Sequence, residues 1–208
     1  MRRIAMTVLS LGFLLSAMFP VAAQSVSKDP VRAPNGAYEV DPHGHTQMLF
    51  SILHLGLTDY YGRFDKVSGT LNYDGNQPER SSLSITIDTS SVDTPSDRLT
   101  GELKGPSVFN SQQFPTANFK STAVTRTGPD TGRVAGLLTI RNVTKPVTLD
   151  VTFNGGEQNP TGDGYALGFR ATATIRRSDF SLNTMSWSMY VSDDVHLIIE
   201  AMFDQQKS

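Results

Sequence analysis

The side chains in this chain best suited to chemistry are its four histidines, His43, His45, His54 and His196. His43-Gly44-His45 sets two imidazoles on one side of an extended segment, with His54 close behind. Zinc takes three or four ligands at about 2 Å, so a metal site here would need His54 or a carboxylate to complete it. The same residues also make an ordinary polar turn ahead of the first long strand. A hydrolytic or metal-dependent site would draw on His45, His54 and Glu102. Against it, the chain has no Gly-x-Ser-x-Gly, no His-Glu-x-x-His and no Walker-type glycine–lysine loop. Asp193-Asp194 is an acidic pair, but neighbours on an extended chain point to opposite faces, which suits a solvated turn. His196, between Val195 and Leu197, falls on an outward face. No catalytic residue and no metal ligand set is assigned.

Composition narrows the classes further. The 208 residues include no cysteine, which removes disulfides, Cys-ligated zinc, iron–sulfur clusters and thiol catalysis together. Lys and Arg number 18 against 20 Asp and Glu, a net charge of −2. A nucleic-acid binder would carry a basic excess, so no nucleic-acid partner is expected. The length suits one domain.

The first residues read as an address. Met1-Arg2-Arg3 is basic, Ile4 to Phe19 is mostly apolar, and Val21-Ala22-Ala23 supplies small residues at a cleavage site, the three-part pattern of a secretory signal peptide. Cleavage after Ala23 and export to the periplasm are expected. Residues 24–36, polar and punctuated by proline, form a flexible leader; the domain spans 37–204, and 205–208 are a tail.

From Tyr38 onward the dominant signal is period two. Met48, Phe50 and Ile52 alternate with Leu49, Ser51 and Leu53; Ala117, Phe119, Ser121 and Ala123 with Asn118, Lys120 and Thr122; Leu167, Phe169, Ala171 and Ala173 with Gly168, Arg170 and Thr172. Turn residues separate the runs, as in Asp74-Gly75-Asn76 and Gly128-Pro129-Asp130-Thr131-Gly132. Many such strands with short turns predict an all-β fold, an eight-stranded antiparallel up-and-down barrel. Two segments break the alternation. His54 to Tyr61 predicts a single turn. Thr94 to Asn110 carries helix-start chemistry, Leu99 and Leu103 at i, i+4, and a stop at Gly105-Pro106, predicting a helix over one barrel end. Alanines and Gly136 among the inward positions leave open whether the interior is a solid core or holds a ligand, as an eight-stranded barrel can. Tyr60, Tyr61, Phe64, Met185, Trp187 and Met189 fall at strand ends or in irregular segments, where they suit either a barrel mouth or a sealing cluster.

Ordered motifs then carry a resemblance: Tyr38-Glu39-Val40-Asp41-Pro42, His45-Thr46, Met48-x-Phe50-x-Ile52-x-His54-Leu55-Gly56, Gly62-Arg63-Phe64, Phe114-Pro115-Thr116-Ala117-Asn118-Phe119, Val143-Thr144-Lys145-Pro146-Val147 and Arg177-Ser178-Asp179-Phe180. Together they resemble the YceI family over roughly 37–203. The resemblance implies an exported, lipocalin-like barrel that encloses a long apolar isoprenoid-type lipid, a polyisoprenoid or isoprenoid quinone. It implies no catalytic machinery and no cofactor other than that lipid. It implies ligand contacts from Met48, Phe50, Ile52, Phe119, Leu138, Phe169 and Leu197, joined by the barrel-mouth aromatics Tyr60, Phe64 and Trp187, and head-group contacts from His45, His54 and Arg63. It is compatible with transient membrane contact and with a homodimer. The family's His-Leu-Lys-Ser helix signature is here Glu102-Leu103-Lys104-Gly105, and its Phe-Phe pair is Val108-Phe109. A barrel without a ligand, serving structure or interaction, is the remaining alternative.

Overall fold

The computed structural model describes residues 26–159, 164–182 and 189–206. The alternating runs become strands β1 (Gly36–Val40), β2 (Gln47–His54), β3 (Thr58–Phe64), β4 (Val67–Tyr73), β5 (Ser82–Asp88), β6 (Val92–Asp93), β7 (Thr116–Arg126), β8 (Thr131–Ile140), β9 (Val143–Gln158), β10 (Tyr165–Arg176) and β11 (Val191–Gln205), with one helix, α1 (Asp97–Lys104), among the described residues. All pairings are antiparallel, and β1 closes the sheet by pairing with both β4 and β11. The eleven strands make eight staves because three staves are broken, and β5 with the two-residue β6, paired to β4 and β3, is one of them. β1 and β2 run one after the other along β11, and β4 and β3 lie beside them in the same way. The signal-peptide segment 1–23 lies outside the described residues.

The break between β1 and β2 has a defined chemistry. Val40 pairs with Phe203 and Gln47 with Glu200, so residues 41–46 face only two residues of β11. The backbone groups of Met202 that β1 and β2 leave behind are taken up locally. Asp41 N–H donates to Met202 O, and the Thr46 hydroxyl both donates to Met202 O and accepts from Met202 N–H. The Asp41 side chain, only 1% exposed, accepts from His43 N–H and His45 N–H at 3.0 Å each and meets His45 Nδ1 at 2.9 Å. Burial opposes its charge, but these hydrogen bonds and the His45 ring outweigh burial and hold the carboxyl below its ordinary 3.8. Asp204 is shifted the other way, by burial first and then by the charge and hydrogen bond of Asp41.

Helix α1 forms where the sequence signals it. The Ser96 side chain caps it by accepting from Leu99 N–H, Asp97 and Lys104 suit the two ends of the dipole, and Gly105 ends it. Leu103 is buried, with Leu99 packed beside the same cluster.

Four local expectations change. His54 to Tyr61 is a hairpin: Leu55 and Gly56 take positive φ and β3 begins at Thr58, so Tyr60 and Tyr61 are strand residues. Asp193-Asp194 lies inside β11, at a bulge between Val191 and Val195, where Asp193 accepts from Ser178 N–H and the Ser178 hydroxyl. The segment expected to be a flexible leader is seated on the barrel from Ser27, which exchanges two 2.9 Å backbone bonds with Gly156; Ala33 is 3% exposed. At the other terminus, pairing continues past 204, and Gln206 N–H donates to Ala37 O.

Replacing Asp41 by alanine strands two backbone donors and should cost about 3 kcal/mol, a melting-temperature loss of roughly 6–12 °C for a chain of this size. Because its folded pKa is depressed, Asp41 contributes fully above about pH 4 and loses its contribution as pH falls below that. Asp204→Asn should act oppositely. It should raise the melting temperature at pH 7, where burial and the Asp41 charge oppose ionisation of Asp204, with the gain shrinking as pH falls toward the carboxyl's ordinary 3.8. Thermal unfolding of both variants across pH checks the pair.

Candidate functional site

The inward faces do not fill the barrel. They leave a cavity of about 210 Å³. Its wall is apolar along its length, with Met48, Leu71, Ile85, Phe119, Leu149 and Leu197 among the side chains contributing. At one end an aromatic cluster surrounds it: Tyr73 stacks on Phe153, Phe153 tilts against Phe169 at 5.3 Å, and Phe169 meets Phe203 edge-on at 6.0 Å. At the other end the barrel is plugged. Phe50 packs on Phe64 at 5.8 Å and Phe64 on Phe109 at 5.5 Å. Gly62 opposite Phe50 makes the plug possible, since a Cβ there would sit 2.3 Å from the Phe50 ring.

The cavity opens between three segments: Pro30 of the N-terminal strap, the β4–β5 connection at Gly75, Pro78 and Ser81, and the β7–β8 hairpin from Arg126 to Gly132. The strap is held down by two phenols. Tyr73 Oη donates to Pro30 O at 2.8 Å and Tyr38 Oη to Pro34 O at 2.7 Å. Burial pushes both hydroxyls up to about 12, so they remain neutral donors. Gly75 passes directly beneath the strap, where a Cβ would meet Pro30 O at 2.3 Å. The hairpin side is set by a bulge in β7 between Ser121 and Ala123. The extra residue reverses the inward phase, so Ala123 is exposed and Val124 and Arg126 reach the cavity. This corrects the expectation that Ala123 faces inward. Arg126 Nε donates to Gly128 O at 2.9 Å and Nη2 to Pro129 O at 2.7 Å.

Of the residues singled out from sequence, Met48, Phe119, Leu138, Phe169 and Leu197 line the cavity. Phe50, Ile52, Tyr60 and Phe64 do not. They belong to the end where β2 and β3 diverge from β4, and there Phe50 and Phe64 fill the cross-section. Trp187 and Met185 lie outside the described residues. Tyr61 and Met189 are exposed, at 49% and 78%, with Leu55 and Leu57 at the plugged end. None of the three head-group candidates lines the cavity. His45 is bound to Asp41. Arg63 pairs with Asp65 at 2.7 Å and Asp93 at 2.9 Å. His54 closes the β2–β3 hairpin opposite Thr58, seven strand steps or roughly 23 Å beyond Gln47. Glu102 is engaged by Arg98 on its own helix at 2.9 Å. Among the described residues no three His, Asp or Glu side chains gather to hold a metal.

Sequence reasoning missed the mouth. Val124, Arg126 and Pro30 are not marked by alternation, because a strap and a bulge place them; Tyr73 closes the alternating run Val67, Gly69, Leu71, Tyr73, but nothing local shows that it stands at the rim. Leu149, Val151 and Phe153 did carry the signal, as inward members of an alternating run.

The fold and cavity define a class: closed antiparallel barrels that keep an apolar space inside. Within it, the chain belongs to the YceI-like domain family, whose sequence model matches residues 38–203. It is 37% identical over 175 residues to a UPF0312 protein of Yersinia pestis, covering 84% of this chain and 86% of that one. Among solved structures it is similar to Burkholderia cenocepacia BcnA (25% identity, TM-score 0.69, 78% of this chain and 98% of that one). It also shares its fold with a polyisoprenoid binding domain from Saccharophagus degradans implicated in plant cell wall breakdown (16% identity, TM-score 0.61, 83% and 100%).

If the plug and the cavity are separate, Phe50→Ala should cost about 3–5 kcal/mol of stability yet leave the affinity for an apolar fluorescent probe within threefold. Denaturant unfolding and probe titration measure the two effects independently.

Proposed function

We propose that this protein is a periplasmic binding or carrier protein that encloses the chain of a long apolar, isoprenoid-type lipid. The observation that carries the reading is the wall of the cavity: apolar along its length, with two charged lining residues, Arg126 and Asp130, both on the hairpin at the mouth. A space so lined excludes polar substrates, because burying a polar group without a partner is costly. It favours alkyl and prenyl chains, at about 0.8 kcal/mol per buried CH₂. Membership of the YceI-like family and the barrel shared with a polyisoprenoid binding domain support the same class of ligand. The basic and apolar N-terminus with its small-residue exit supports export.

Size refines the reading. The cavity of about 210 Å³ exceeds the roughly 150 Å³ engineered void that admits benzene and falls short of the roughly 300–1,000 Å³ of drug-sized sites. A long chain therefore occupies it in part. The remainder extends through the mouth or enters as flexible lining residues such as Met48 change rotamer.

Organic extraction of the protein purified from its exported fraction, followed by mass spectrometry, should find a long-chain apolar molecule. Ala171→Phe, which projects a ring into the lining, should reduce probe uptake at least tenfold while the barrel's circular dichroism is retained. A protein that extracts clean and takes up neither quinones nor prenyl lipids would falsify the reading in favour of a ligand-free structural barrel.

A further inference from the structure

We propose that Arg126 is the head-group anchor of this barrel and that it selects a lipid ending in an oxyanion, as a prenyl phosphate does, over a neutral alcohol or quinone. The proposal rests on the lipid-binding reading above and adds the chemistry of the end that stays at the mouth.

Three observations converge on Arg126. It is the one cation among the cavity's lining residues, and the β7 bulge puts it there. Its guanidinium is already oriented, since Nε and Nη2 donate to the Gly128 and Pro129 carbonyls of its own hairpin. Arginine has five N–H donors, so both Nη1 hydrogens and one on Nη2 remain, a forked edge that matches phosphate or carboxylate oxygens in a bidentate contact. No carboxylate among the described residues forms an ion pair with it. Its charge is also felt across the opening, where it favours the phenolate of Tyr73 against the effect of burial.

The neighbouring acids do not supply the missing partner. Asp29 accepts from Val31 N–H and lies near Arg32. Asp74 accepts from Asn35, Asn76 N–H and Gln77 N–H. Asp130 lines the same mouth but stays outside ion-pair distance of Arg126, and its charge would oppose an anionic head. The two hairpin residues thus push in opposite directions, which lets the sign of each be tested. An apolar chain in the cavity brings its head to this opening, where the oriented arginine edge is the fitting partner.

Titration of full-length mature protein with geranylgeranyl phosphate, geranylgeraniol and inorganic phosphate, read by displacement of an apolar fluorescent probe, tests the assignment. Wild type should bind the phosphate at least tenfold more tightly than the alcohol, and the preference should shrink in high salt. Inorganic phosphate alone should displace nothing. Arg126→Gln should abolish the preference and leave alcohol binding within twofold, which also reports that the barrel is intact. Asp130→Asn should strengthen phosphate-lipid binding severalfold. Equal wild-type affinities, an unchanged preference in Arg126→Gln, or displacement by inorganic phosphate would each overturn the role of Arg126 while the lipid-binding reading stands. Failure of wild type to bind either lipid would overturn both.

Discussion

Closure of this barrel turns on a buried carboxylate. β11 pairs with two different segments along one edge, β1 and then β2, and the chain must leave the sheet and return within residues 41–46. A backbone that leaves a sheet exposes polar groups that need partners. Asp41 collects two of them and the His45 ring, while its own N–H and the Thr46 hydroxyl satisfy Met202. With that exchange in place, β1 is free to reach β4 and close the ring, while β2 turns away to build the plugged end with β3. The charge on Asp41 is retained despite burial because its hydrogen bonds exceed the desolvation cost, and the neighbouring Asp204 bears the consequence as a raised pKa.

The two ends of the barrel are built from the same material and do different things. At the plugged end, phenylalanines meet across a glycine and under α1, and the cross-section is full. At the open end, aromatic rings line the wall and leave a passage. The difference lies in what covers them. One end has a helix and its following loop; the other has a strap pinned by two neutral tyrosine hydroxyls and a hairpin turned by a bulge. Charge is confined to that hairpin, so a ligand meets its polar recognition at the rim and its apolar burial inside.

Much of this was legible from residue order. The inward set Met48, Phe119, Leu138, Phe169 and Leu197 followed from strict alternation, which survives wherever pairing stays in register. The helix from Asp97 was written in Ser96, Asp97 and Gly105. Legibility ended where register shifts or where a segment's partner lies far along the chain. Ala123 and Arg126 traded places at a bulge that no local residue marks. Asp193-Asp194 resembled a turn because a bulge interrupts β11 there. Residues 26–35 resembled a loose leader because two of their partners, Tyr73 and Gly156, lie beyond any local window. His45, His54 and Arg63 drew attention as polar residues in recurring motifs, and the structure gives His45 and Arg63 acidic partners and His54 a hairpin end.

By itself, then, the sequence determined the antiparallel all-β class, the eight staves, the covering helix and the apolar character of the interior, because period-two patterning is a local property that every strand carries within itself. Only the tertiary structure decided which inward residues surround empty space, which are packed solid, and that Arg126 stands at the opening. Those outcomes depend on bulges, on broken staves sharing β11 and on a strap crossing the rim. They are set by pairing between distant segments, whose energies no single stretch of sequence contains.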